Sequence, residues 1–177
     1  ANVAIILARY ARDEETVVSG ILHDVVEDCV GEGWTREMLD ERIAEKFGEE
    51  ILDTVLSVTQ RKLDEEGNEL DRDERRTDFL HRLASASDRA RWVCAAGTVH
   101  DGSSILTDLR RTVDTESVWG RFSLGRDGTL RWYRAVFDRL VAVKFSEPIV
   151  QELRGVVEAL EMYRPTSRGD SGGLRSR

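Results

Sequence analysis

Residues 21–29 read ILHDVVEDC, and within them His23, Asp24, Glu27 and Asp28 set one imidazole and three carboxylates into six positions. Seven acids and no lysine or arginine lie between Asp13 and Thr35, so no local ion pair offsets that charge. A divalent cation can. An imidazole next to a carboxylate suits a borderline-hard metal such as manganese or iron, and acids one turn further on can orient or deprotonate a metal-bound water. His23 and Asp24 are therefore candidate metal ligands, with Glu27 and Asp28 as candidate catalytic carboxylates. The competing reading makes these acids the wet rim of an amphipathic helix, with His23 satisfied by a neighbour.

The elements that must position these groups follow from periodicity. A helix is expected from a capping Asp13, with Glu14 and Glu15 in its first turn, through the motif. At 100° per residue, Val17, Val18, Ile21, Leu22, Val25 and Val26 fill one half of it, the expected core face. His23, Asp24, Glu27 and Asp28 share an arc of about 140° beside that face. Glu27 and Asp28 then stand at the carboxyl end of the helix, where the macrodipole disfavours each by about 0.3 to 1 kcal/mol. A bound cation would offset that cost.

Apolar residues recur at three- and four-residue spacing through the rest of the chain, only Pro148 and Pro165 interrupt it, and strand alternation is absent, so the fold class expected is all-α. Helices are expected at about 2–11, from Thr35 to about Phe47, over EEILDTVLSVT, at about 75–86 and 88–111, from Thr129 to Phe145, and from Pro148 to Met162. The charged run RKLDEEGNELDRDERR reads as a solvated loop. Gly97 and Gly102 each weaken their helix by about 1 kcal/mol relative to alanine. Residues 1–163 form the expected domain and 164–177 a disordered polar tail.

Composition narrows the function classes. Lys and Arg total 26 against 34 Asp and Glu, a formal charge of -8, which argues against a surface built for nucleic acid or anionic membrane. No apolar run approaches the length of a membrane span and no leader is evident, so the chain reads as cytoplasmic. Cys29 and Cys94 match no ligand spacing and are expected to be small core residues in a reducing compartment.

The motif and its surroundings also carry a resemblance. GILHDVVEDC followed by FGEEILDTVLSVTQRK, then RRTDFLHRLASASDRA, AAGTVHDGSSILTDLR and GTLRWYRAVFDRL, resembles the hydrolase half of the RelA/SpoT alarmone enzymes and their small stand-alone HD-domain relatives, over roughly residues 1 to 160. The resemblance implies a single compact HD-domain helical bundle. It also implies a manganese-dependent (or Fe2+-dependent) phosphohydrolase that removes pyrophosphate from the 3' position of guanosine tetra- or pentaphosphate, a small-molecule nucleotide partner. His23 and Asp24 would be metal ligands, Glu27 and Asp28 would activate the water, Lys62 would meet a substrate phosphate and Tyr133 would line the nucleotide site. The family's first histidine falls just upstream of Ala1. Gly97 stands where the family carries a metal-binding aspartate, and Asp101, one turn on and displaced by about 5.4 Å, is the candidate substitute. The alternative implied by Gly97 is a degenerate HD-domain homologue serving as a nucleotide-binding or interaction module.

Overall fold

The computed structural model describes residues 2–31, 33–64 and 66–163; the expected polar tail lies outside them. Ten helices run through the described residues: α1 Asn2–Arg9, α2 Glu14–Leu22, α3 Val25–Asp28, α4 Arg36–Phe47, α5 Glu49–Val58, α6 Arg72–Ser85, α7 Asp88–Arg111, α8 Thr115–Trp119, α9 Gly125–Ala142 and α10 Pro148–Met162. Only two isolated bridges accompany them, Gly31 with Trp34 and Leu63 with Glu69. The fold is all-α, as the periodicity predicts.

Side-chain caps set most of the boundaries. Asp13 accepts from Thr16 N, Thr35 from Met38 N and Ser87 from Ala90 N, each satisfying a backbone donor that the first helical turn leaves free. Gly48 closes α4 with φ 96°, a conformation that excludes most other residues, and opens α5 in the same step. Pro148 occupies the first turn of α10, where its missing N–H costs nothing.

The 24-residue α7 is the axis of the molecule, packing against α1, α2, α5, α9 and α10. Its Val93, Ala95, Ala96, Val99 and Leu109 are almost fully buried, and they join Leu7, Leu83, Leu140 and Leu153 in the main core. A second, smaller cluster of Val26, Ile43, Ile51 and Val55 joins α3 to α4 and α5.

Several expectations are corrected. The helix expected to run unbroken through the motif stops at Leu22 and restarts at Val25. Its buried face is wider than the branched half and leaves out one member of it: Val26 is buried and Val17, Val18, Leu22 and Val25 pack partly buried against the cores, but Thr16, Ser19 and Gly20 are buried with them, whereas Ile21 is 53% exposed. The cause is close packing, since a Cβ on Gly20 would lie 2.4 Å from Leu7 Cδ1, so α1 settles on the small residues. The charged run is not all loop, because Asp71 and Glu74 form a capping box that starts α6 at Arg72. Likewise α9 begins at Gly125 and ends at Ala142, a short α8 precedes it, and Cys29 is exposed while Cys94 alone is a core thiol.

Candidate metal and phosphate site

The break between α2 and α3 is what shapes the motif. His23 (φ -56°, ψ -32°) and Asp24 (φ -94°, ψ -9°) remain right-handed, so the chain tightens without reversing. Asp28 N and Glu27 N both donate to Asp24 O, at 2.8 and 3.1 Å. Val26 turns into the second core cluster and anchors the far side of the motif.

His23 Nδ1 lies 3.0 Å from Gly20 O. A carbonyl only accepts, so this contact places the proton on Nδ1 and leaves Nε2 as the lone-pair nitrogen of the neutral ring, the arrangement that metal-bound histidines use. Nε2 in turn stands 3.0 Å from Asp24 Oδ2, the imidazole being 20% exposed and the carboxylate 61%. Two acceptors face one another there, and the contact is closed by a proton, on the ring or on the carboxyl, or by a metal ion. Ligands at right angles on bonds of about 2.1 Å are about 3.0 Å apart, so the pair fits two adjacent positions around a divalent ion.

The opposing wall is α7. A Cβ built on Gly97 would lie 4.0 Å from His23 Nε2, which places Gly97 opposite the imidazole. Asp101, one turn on, has its Oδ1 3.0 Å from His100 Nδ1, and His100 Nε2 meets Asn2 Nδ2 at 3.0 Å. Among the described residues no three His, Cys, Asp or Glu side chains converge as a group able to hold an ion. His23 and Asp24 thus offer a fitting pair of donors, and the described chain does not close a third around them.

Charge accumulates along this edge. Burial pushes the Asp24 carboxyl above its ordinary value; His23 opposes that, while Asp28 and Asp101 add to it. Glu27 is likewise raised by burial, tempered by the Gln60 N–H and reinforced by Asp24 and Asp28. Gln60 N donates to Glu27 Oε1 at 2.6 Å. That amide is held in turn by Arg82, which donates to Leu56 O, Ser57 O and Thr59 O at 3.1, 3.3 and 2.8 Å and so caps the carboxyl end of α5. Neither Gln60 nor Arg82 was expected at the site from sequence. Gln60 lies inside the VTQRK stretch that pointed to Lys62, whereas nothing in the sequence near Arg82 announces its role.

A cavity of about 600 Å³ opens beside Glu27, walled by Val26, Arg36, Thr59, Gln60, Arg61 and Lys62. The structure thereby brings Lys62 and Glu27 to one cleft. Tyr133 is elsewhere: it is 6% exposed, in the main core, with its ring against Gly102 of α7. Burial, with Asp101 adding, pushes its phenol well above the ordinary value.

The sequence profile of the family described as HD domain matches residues 1–129, and the chain belongs to that family. Two solved structures align with most of it. The crystal structure of lmo0812 from Listeria monocytogenes EGD-e superposes with a TM-score of 0.72 at 27% identity, covering 89% of this chain and 94% of that one. A metazoan ortholog of SpoT, described as hydrolysing ppGpp and acting in starvation responses, superposes with a TM-score of 0.63 at 25% identity, covering 89% and 76%. No match was found among curated proteins. The architecture is that of an HD-domain phosphohydrolase, and no described helix is long and apolar enough to cross a membrane.

Proposed function

We propose that this HD-domain protein is a metal-dependent phosphohydrolase of a nucleotide polyphosphate, resembling the 3'-pyrophosphohydrolases of guanosine tetra- and pentaphosphate and acting on a free cytoplasmic nucleotide. One observation carries the reading: His23, its Nδ1 committed to Gly20 O, presents Nε2 to Asp24 Oδ2 at 3.0 Å, a spacing that suits two adjacent ligands of one divalent ion. Hydrolysis of ppGpp by the structurally similar SpoT ortholog supports the substrate class. His23 and Asp24 would hold Mn2+ or another divalent ion such as Fe2+, with Asp101 the further candidate from α7. Bound there, the ion supplies Lewis acidity toward a phosphoryl oxygen and lowers the pKa of water.

The remaining roles belong to the chain. Glu27, with a raised carboxyl pKa and an anchored Oε1, accepts the proton of the attacking water at its other oxygen. Asp28 orients that water from the same turn. Lys62, which lines the cavity beside Glu27, meets a substrate phosphate. Tyr133 acts from the core, its packed ring supporting the turn of α7 that carries Asp101.

The test is direct. Manganese binding and pyrophosphate release from ppGpp are measured for the wild type and for Asp24→Ala, whose side chain is 61% exposed and can be removed without a cavity. Both are expected to be lost. Pyrophosphate release that survives this substitution would sink the mechanism.

A further inference from the structure

Gly97 is the residue of α7 whose Cβ direction aims at the metal-binding edge. A methyl group there would lie 4.0 Å from His23 Nε2, and among the described residues no other atom outside its own stretch of helix comes within 4 Å. Five residues on, a methyl group at Gly102 would sit 2.4 Å from Val156 Cγ1. Gly102 therefore serves a close crossing of helices, whereas Gly97 serves none. It leaves a notch.

The notch has the dimensions of a carboxylate arm. A C–C bond of about 1.5 Å and a C–O bond of about 1.2 Å would carry an oxygen from a Cβ at this point to the neighbourhood of Nε2. Among the described residues no third His, Cys, Asp or Glu side chain joins His23 and Asp24 as a group able to hold an ion, and Asp101, the candidate from α7, is turned to His100. The surroundings are acidic, with the carboxylates of Asp28 and Asp101 near that of Asp24. An anion alone is repelled from such a place, and an anion that arrives with a divalent cation is not.

We propose that the notch at Gly97 is an oxyanion subsite: a cation held by His23 and Asp24 takes its next oxygen there from outside the chain, from a phosphate group or a small carboxylate. Cation and oxyanion then bind cooperatively, each tightening the other by the same factor. This rests on the reading of His23 and Asp24 as metal ligands, and the experiment separates the two.

Free manganese is titrated with the full chain by electron paramagnetic resonance, alone, with formate and with inorganic phosphate. Either anion is expected to tighten manganese binding roughly tenfold or more, the scale on which even an outer-sphere partner of a metal ligand acts. Neither anion should bind when manganese is withheld. Gly97→Asp, which supplies the oxygen covalently, should bind manganese that tightly with no anion and gain nothing from formate. A gain with formate alone narrows the ligand to planar carboxylates and a gain with phosphate alone to phosphoryl groups; both support the subsite. Unchanged wild-type affinity with both anions overturns it, whether or not Gly97→Asp folds. If His23→Ala binds manganese as well as the wild type, it is the underlying metal reading that fails.

Discussion

Gly97 and Gly102 lie in the same helix, and the same substitution should move stability in opposite directions at the two. Alanine in place of an interior helical glycine gains about 0.5 to 1 kcal/mol from backbone entropy, and that gain is common to both sites. At Gly97 the new methyl meets only His23 Nε2 at 4.0 Å, an ordinary contact, so the gain survives. At Gly102 it meets Val156 Cγ1 at 2.4 Å and Tyr133 Cε1 at 2.9 Å, and both neighbours are packed side chains, 9% and 6% exposed. Overpacking of this kind costs about 1 to 3 kcal/mol. The shared entropy cancels in the comparison, so the difference between the variants isolates the steric cost. For a protein of this size it corresponds to a gap in Tm of roughly 2 to 12 °C, with Gly97→Ala above the wild type. Gly155→Ala, on the open face of α10 with nothing within 4 Å of its added methyl, serves as the reference and should track Gly97→Ala. Thermal melts followed by circular dichroism, in EDTA so that no cation contributes, decide the matter. Coincident melting of the Gly97 and Gly102 variants would refute the claim that α7 crosses its neighbours at one glycine and faces a notch at the other.

Other consequences follow from single contacts. Arg82→Met, which keeps the length of the side chain but removes three hydrogen bonds to the carboxyl end of α5, should cost about 1.5 to 3 kcal/mol in urea unfolding. It should also slow phosphohydrolysis, because the amide of Gln60 that anchors Glu27 is held through that cap. Of the two thiols, exposed Cys29 should react with a thiol reagent in the native protein, whereas Cys94, buried and pushed up to about 12 by burial, should react only on unfolding. Two equivalents consumed by native protein would contradict its packing.

Where sequence reasoning succeeded, the cause was local chemistry. Asp13, Thr35 and Pro148 each act within one helical turn, so the starts of α2, α4 and α10 are written in a few adjacent residues. The capping box of α6 was equally local, in the DRDE of residues 71–74, but a run of charges masked it. What failed was whatever depended on a second element. A helical wheel cannot know that α1 approaches closely enough to prefer Gly20 over Ile21, nor that Val26 must turn toward Ile43 and Val55 and so break the helix at His23. The site divides in the same way. His23, Asp24, Glu27 and Asp28 stand out as candidates because they are contiguous, and Lys62 lines the same cleft as Glu27. Tyr133, a candidate by resemblance alone, has its ring packed against Gly102. Arg82 acts from 23 residues away through backbone carbonyls, and such a role has no sequence signature.

The raised carboxyl of Glu27 links site and stability, and its sign can be worked out. Its folded pKa lies above the ordinary value of 4.5, chiefly because burial disfavours the ion. Between the unfolded and folded values the folded protein binds more protons than the unfolded chain, so stability falls as pH rises through that window. Below it both states are protonated and the group contributes nothing. Glu27→Gln is neutral throughout and can still accept from Gln60 N through its amide oxygen. In EDTA the variant should therefore match the wild type near the acid end of the window and become the more stable of the two as pH rises to neutrality. Urea midpoints measured from about pH 4 to pH 7.5 test this, and a variant whose advantage shrinks with rising pH would contradict it. Manganese should reverse the order of the two at neutral pH if the ion sits at His23 and Asp24, because its charge stabilises the ionised carboxylate and leaves the amide unaffected. A carboxylate that weakens the fold when the cation is absent and strengthens it when present is what a metal-dependent site requires of its acids. A rim of merely solvated acids would show no dependence on the metal at all.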